Sequence, residues 1–214
     1  MKSETIRRIL DCGIVAIIRA DNSAQLVDAT QALIEGGIDT IEVTMTTPNA
    51  LQVIRETTQK FGSKLLMGVG TVLDDITARL AMEAGAQFVV TPTLRPDVIT
   101  ICNRYSKPIM TGCYTPTEML TAHEAGSDFI KLFPADQLGA SYIKAVRAPL
   151  PQLSIIPTGG VTATTCGDFF KAGCVAVAAG SSLVSKSILE KRDWKALTEQ
   201  AAIFVAAVKR AKAN

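Results

Sequence analysis

One histidine, His123, is all that the sequence contains, and that scarcity removes the usual histidine-based zinc centres. Composition alone leaves a carboxylate-bound magnesium ion open. Cysteine is sparse and unpaired. Cys12, Cys102, Cys113, Cys166 and Cys174 are odd in number and lack paired spacing, which points to small buried apolar roles in a reducing, cytoplasmic setting. Aromatics make up 5% of the 214 residues against 48% hydrophobic. The apolar mass is therefore Ala, Val, Ile and Leu, the mixture of a buried parallel sheet covered by helices. No apolar run approaches the ~20 residues of a spanning helix. The stretch from Met1 to Glu4 has no apolar signal core, so no membrane partner is expected. The net charge of +2 is spread thinly. Without a basic stripe or interleaved aromatics, nucleic-acid binding is not expected. The one basic cluster, Lys209, Arg210 and Lys212, ends the last helical stretch, where it complements the helix dipole.

What the sequence does have is an unbroken alternation of strand and helix signals. A lead helix over 3–10 carries Ile6, Ile9 and Leu10 on one side. Strands are expected over 13–19, 40–44, 65–68, 88–91, 108–111, 128–133, 154–158 and 175–179. Helices follow them: one capped by Asn22 or Ser23, one opened by Pro48, then 74–84, 96–105, 116–125, 141–148, 163–172 and 194–209. Helix ends recur as Glu35-Gly36-Gly37, Glu83-Ala84-Gly85, Glu124-Ala125-Gly126 and Lys171-Ala172-Gly173, one mark per two strand-helix units. Eight units in one domain over 1–214 predict an α/β (β/α)8 TIM barrel with a short N-terminal lead helix. A doubly wound open sheet is the alternative, but it wants a glycine-rich turn after strand one, and Arg19-Ala20-Asp21-Asn22 offers none.

In such a barrel, chemistry gathers at the carboxyl ends of the strands. Strand six, Asp128 to Phe133, is apolar but for Lys131. Alternation sets Phe129, Lys131 and Phe133 on one face. Dehydration disfavours the ammonium form, and a neutral amine attacks carbonyl carbon; a structurally neutralised buried lysine is the other reading. Glu42, between Ile41 and Val43, is expected to face the interior with Thr44. It would serve as an acid/base beside Lys131, or only as a salt-bridge partner of Lys131 or Arg19. Arg19 ends strand one, Thr71 follows a turn at Gly68-Val69-Gly70, and Pro92 ends strand four. Two glycine-containing loops, Gly159-Gly160 and Gly180-Ser181-Ser182, suit an anion, phosphate or carboxylate, held by backbone amides; tight turns alone would also explain the glycines.

Six motifs together resemble one family. They are Ile-Val-Ala-Ile-Ile-Arg-Ala (14–20), Ile-Glu-Val-Thr (41–44), Gly-Val-Gly-Thr-Val (68–72), Gly-Ala-Gln-Phe-Val-Val-Thr-Pro (85–92), Ile-Lys-Leu-Phe-Pro-Ala (130–135) and Pro-Thr-Gly-Gly-Val (157–161). In this order they are similar to the bacterial 2-keto-3-deoxy-6-phosphogluconate / 2-keto-4-hydroxyglutarate aldolases. The resemblance implies a class I aldolase on a (β/α)8 barrel, cofactor-free and homotrimeric, acting on a small 2-keto acid. It implies Lys131 as the Schiff-base lysine, Glu42 as the acid/base and Thr71 at the pyruvate carboxylate. Arg19, Gly160 and Ser182 fall at the substrate or phosphate end. The expected substrate-binding set is Arg19, Thr46, Thr71, Pro92 and Phe133; the expected phosphate set is Gly159, Gly160, Ser181 and Ser182. Thr46 departs from the pattern, because many members carry at that place an arginine that grips the carboxylate. Thr71, the amides beside it and Arg19 are expected to make good the difference. A barrel isomerase or synthase without an imine, and a non-catalytic sugar-phosphate binder, are the rival classes.

Overall fold

The computed structural model describes residues 2–19 and 22–213, so Ala20 and Asp21, in the turn weighed against an open sheet, lie outside it. The chain runs α1 (Lys2–Cys12), β1 (Ile14–Ile18), α2 (Ser23–Glu35), β2 (Thr40–Thr44), α3 (Ala50–Phe61), β3 (Leu66–Gly70), α4 (Asp75–Ala84), β4 (Phe88–Val90), α5 (Pro96–Arg104), β5 (Ile109–Cys113), α6 (Pro116–Glu124), β6 (Phe129–Leu132), α7 (Gly139–Arg147), β7 (Ile155–Pro157), α8 (Cys166–Lys171), β8 (Val177–Ala179), α9 (Lys186–Lys191) and α10 (Trp194–Ala213). All paired strands are parallel, in the order β7-β6-β5-β4-β3-β2-β1-β8. Val175 N–H donates to Ile155 O at 3.1 Å and Thr158 bridges Ala178, which brings the two edges together. The result is a nearly closed (β/α)8 barrel with α1 ahead of the first strand, as expected.

Alternation sorts the side chains into two layers. Ile41, Val43, Val69, Ile130, Leu132 and Ile155 pack outward under the helices. Val15, Leu66, Phe88, Met110, Phe129 and Ile156 fill the interior. Ile6, Ile9 and Leu10 of α1 join that interior cluster from below, so the lead helix is the floor of the barrel. It is fixed at several points. Lys2 Nζ reaches Asp128 Oδ1 at 3.0 Å and Asn103 Oδ1 at 2.7 Å. Arg8 pairs with Asp39 at 2.8 Å. Lys212 Nζ donates to the carbonyls of Leu10 and Asp11 at the helix end.

The repeated glycine marks are helix stops. Gly37, Gly85, Gly126 and Gly173 all have positive φ. After each, one N–H reaches back over the last helical turn: Ile38 to Leu33 O, Ala86 to Ala81 O, Ser127 to Ala122 O and Cys174 to Phe169 O, at 2.8, 2.9, 3.0 and 3.1 Å. This is the Schellman arrangement that left-handed glycine permits.

Three expectations need correction. Strand β3 runs to Gly70, so Gly68-Val69-Gly70 is strand and not turn. Helix α3 begins at Ala50 behind Asn49, whose φ is 54°, so Pro48 lies before the helix. Helix α9, between β8 and the last helix, was not anticipated. It has only six residues, too few for a readable apolar period.

Candidate active site at the carboxyl end of the barrel

Lys131 sits on β6 opposite Gly112 of β5 and Ile156 of β7. Its side of the strand is that of Phe129, which faces inward. The residue is 5% exposed. Its Nζ stands 5.1 Å from the centroid of the Phe133 ring, so Phe133, just past the strand end, covers the amine at the mouth. Glu42 is 1% exposed and lies between the outward-facing Ile41 and Val43. Neither of its carboxylate oxygens has a hydrogen-bond partner among the described residues. No hydrogen-bonded salt bridge therefore joins it to Lys131 or Arg19. A buried carboxylate without a partner is costly, and it needs an explanation.

The strand glycines provide the room. A Cβ on Gly70 would lie 1.7 Å from Glu42 Oε1, and one on Gly68 would lie 2.2 Å from the Phe88 ring. Gly112 serves Pro92 likewise: a Cβ there would meet the Pro92 carbonyl carbon at 2.2 Å. Gly112 N–H donates to Thr91 Oγ1 at 3.1 Å, and Thr91 donates to Thr93 O at 2.7 Å. The Thr91-Pro92 segment is thereby folded over β5, next to the strand of Lys131.

On the β2–β3 side, Thr44 and Thr46 share a hydroxyl–hydroxyl hydrogen bond of 2.7 Å. Met45 N–H donates to Gly70 O at 2.8 Å. Thr71 follows directly with φ 59°, a backbone region that β-branched residues avoid and that is found where strain serves a site. Arg19 goes the other way. It lines a cavity of 260 Å³ with Ile17, Ser181, Val184 and Lys186, on the β8 side of β1. Topology had suggested Arg19 for the pyruvate carboxylate; the structure groups it with the loop after β8.

The loops after β7 and β8 meet. Ser182 Oγ donates to Val161 O, and Leu183 and Val184 N–H both turn to Gly180 O, at 2.9 and 2.8 Å. Gly159 and Gly160 have φ of 97° and 68° and lie against Ala135 and Asp136, just after β6. Among the described residues, the backbone N–H groups of Gly159, Gly160, Ser181 and Ser182 take no backbone acceptor. The Ser182 hydroxyl proton is committed to Val161, so that residue offers an anion its backbone N–H and not its side-chain proton.

Thr158 joins the site as a residue that the motifs do not single out. It is buried, and its hydroxyl has no partner among the described residues. The signal was available: it stands two residues past the inward-facing Ile156. Cys113, at the end of β5, is no rival nucleophile. Burial, aided by Glu118, pushes its thiol up to about 12.

Eight parallel strands that carry a buried lysine and a buried carboxylate on their inner faces define a barrel of the enzyme kind. Known proteins narrow that further. Residues 6–200 match the KDPG and KHG aldolase family, and the chain belongs to that family. It is 33% identical over 199 residues to the 2-dehydro-3-deoxy-6-phosphogalactonate aldolase of Escherichia coli K12, covering 92% of this chain and 95% of that one. It is 31% identical over 182 residues to the 2-dehydro-3-deoxy-phosphogluconate aldolase of Pseudomonas aeruginosa, covering 85% and 82%. Among solved structures it superimposes with a TM-score of 0.86, at 32% identity, on a cube-shaped cage designed by fusing symmetric oligomeric domains, covering 94% of this chain and 73% of that one.

Proposed function

We propose that the chain is a class I aldolase that cleaves a 2-keto-3-deoxy acid to pyruvate and an aldehyde. The observation that carries this reading is the pair of dehydrated groups in one barrel interior: Lys131 under Phe133, and Glu42 with both oxygens unpartnered. A carboxylate kept dry and unpaired suits a proton carrier that waits for its substrate. Neutral Lys131 attacks the C2 ketone to give a carbinolamine, which loses water to form an imine. The protonated imine accepts the electron pair of the breaking C3–C4 bond. Glu42 takes the C4 hydroxyl proton, and the aldehyde departs. The enamine is then protonated at C3, and hydrolysis frees pyruvate and restores the amine. Side chains suffice for every step.

The substrate reading is 2-dehydro-3-deoxy-6-phosphogluconate, giving glyceraldehyde 3-phosphate, with 4-hydroxy-2-oxoglutarate, giving glyoxylate, as the shorter choice. The first relative named above acts on the phosphogalactonate instead, whose carbon chain differs only in configuration at C4, and that epimer belongs in the same assay. The N–H groups of Gly159, Gly160, Ser181 and Ser182, which take no backbone acceptor among the described residues, and Arg19, which lines one cavity with Ser181, favour a phosphorylated end. Likeness to the cage built from symmetric oligomeric domains supports reading the chain as a homo-oligomer, and the family resemblance favours a homotrimer. Borohydride reduction with pyruvate tests the chemistry. One reduced pyruvyl group on Lys131 is expected, and Lys131→Ala is expected to lose both label and cleavage. An unchanged intact mass, under conditions that label a known class I aldolase, refutes the imine and favours the rival barrel classes.

A further inference from the structure

The cavity beside Arg19 is small, 260 Å³, below the usual size of a site for a whole small molecule. It suits the end of a substrate whose reacting carbons lie further into the barrel. Its buried lining is apolar, from Ile17, Val184 and Leu189. Its exposed lining carries three charges: Arg19, Lys186 and Glu190. The last two come from α9. They are four residues apart and so share a face of that helix, and Lys186 Nζ lies 3.5 Å from Glu190 Oε1. The helix that presents them is tied at both ends. Ser185 Oγ accepts from Ile188 N–H at 3.2 Å, and the buried Gln25 on α2 donates from Nε2 to Leu189 O at 2.9 Å.

We infer that Lys186 makes this cavity select a doubly charged end group, a phosphate dianion, and that Glu190 opposes it. Charge balance carries the argument. Arg19 and Glu190 cancel, so without Lys186 the lining has no net charge; with Lys186 it has one net positive charge. Asp136, which lies against Gly159 and Gly160 of the loop after β7, is a further negative charge that an incoming phosphate must meet. The ion pair that has to open is weak, because its side chains are 89% and 58% exposed. Lys186 can leave Glu190 for a dianion at little cost, whereas an uncharged end offers it nothing in exchange. The apolar walls beneath concentrate the field of these charges inside the cavity. This rests on the aldolase reading with a phosphorylated end, and adds the pair of residues that sets how strongly that end is preferred.

The test is steady-state condensation by the full chain at saturating pyruvate, with glyceraldehyde 3-phosphate or plain glyceraldehyde as the varied aldehyde. The readout is the ratio of the two KM values, from which any damage felt by both aldehydes cancels. Lys186→Met is expected to weaken the preference for the phosphorylated aldehyde by about 3–5-fold, the scale of an exposed ion pair, and Lys186→Arg to keep it. Glu190→Gln is expected to strengthen the preference by a similar factor. The double variant should lie between the two single ones, because its lining again has one net positive charge. In ~1 M salt, where screening acts within ~3 Å, these differences should shrink. A Lys186→Met enzyme with the parent's preference overturns the inference. So does a Glu190→Gln enzyme whose preference falls, which makes the pair a structural tie of α9, and so does a parent with no preference for the phosphate. Those outcomes leave the imine reading intact, because the borohydride label on Lys131 is read on the same proteins. A parent without that label overturns both.

Discussion

Glu42 and Gly70 share one space across β2 and β3: a Cβ on Gly70 would stand 1.7 Å from Glu42 Oε1 and 2.4 Å from its carboxyl carbon. The glycine holds open the position in which the carboxylate lies. Gly70→Ala should push Glu42 aside and reproduce much of the defect of Glu42→Gln. For Glu42→Gln a ~10²–10⁴-fold fall in cleavage is expected, the usual worth of a positioned acid/base, with borohydride labelling of Lys131 retained. Gly167→Ala is the control: its Cβ meets nothing within 4 Å inside α8, and it should stabilise the chain by roughly 0.5–1 kcal/mol. Steady-state turnover beside thermal melts decides the matter. A well-folded Glu42→Gln enzyme with near-parental turnover would remove Glu42 from the chemistry.

The anion cradle is expected to tolerate no side chain at Gly160. A Cβ there would lie 2.6 Å from Asp136 Cβ, at φ 68°. Gly160→Ala must therefore shift the loop and its amides. The loss of a hydrogen bond to a charged group, about 1.5–3 kcal/mol, corresponds to roughly a 10–100-fold rise in KM for glyceraldehyde 3-phosphate in the condensation direction. Glyoxylate, which lacks the phosphate, should change only a few-fold. Equal losses with both aldehydes would move the phosphate out of this cradle.

We assign recognition of the pyruvate carboxylate to Thr71 itself, since Val72 N–H beside it already donates to Val90 O at 3.2 Å and Gly70 belongs to β3. The Thr46 hydroxyl is already joined to Thr44 at 2.7 Å, and Arg19 lines the β8-side cavity. With pyruvate as the varied substrate, Thr71→Ala is expected to raise KM by about 5–10-fold, the worth of one hydrogen bond, and Thr46→Ala or Arg19→Ala by less. With glyceraldehyde 3-phosphate varied instead, Arg19→Ala should be the most damaging of the three. If Thr46→Ala is worst against pyruvate, the carboxylate lies where the family's arginine would have put it.

A pH effect on stability is expected at the start of α6. Glu118 accepts from Thr115 and Tyr114 N–H at 2.7 and 2.9 Å, and these backbone bonds hold its carboxyl below the usual range. A carboxyl depressed on folding stabilises above its unfolded pKa, and that contribution fades as pH falls through the lowered folded value. Glu118→Gln should thus melt below the parent at pH 7, by up to about 2–4 °C for a net loss of about 1 kcal/mol. The gap should close toward pH 3. A gap that is constant with pH would mean that shape and not charge sets the cap.

The barrel was legible because its signals are local. Strand alternation around Ile41 and Val43 was enough to turn Glu42 inward, and the helix-stop glycines repeat where eight units require them. Ile6, Ile9 and Leu10 read as one face without revealing that the face is a floor. What stayed hidden depends on neighbours across the sheet. Gly68, Gly70 and Gly112 look like turn residues because glycine is a poor strand former. Their reason is the Phe88 ring, the Glu42 carboxylate and the Pro92 backbone, each brought from another strand or its end. The direction taken by Arg19 was unreadable for the same reason, since β1 has neighbours on both sides.

The lead helix has a consequence for water. Phe129 lies two residues below Lys131 on the same inner face, and Ile6, Ile9 and Leu10 close the space beneath. Without residues 2–12 the interior layer of Val15, Leu66, Phe88, Met110, Phe129 and Ile156 would lose its apolar cover from below. Water would then reach that layer, and the packing that holds Phe129 beneath Lys131 would loosen. The first turns of the chain thus act as the stopper that keeps the bottom of the barrel dry. The ties of Lys2, Arg8 and Lys212 to that helix are the means by which the stopper stays seated.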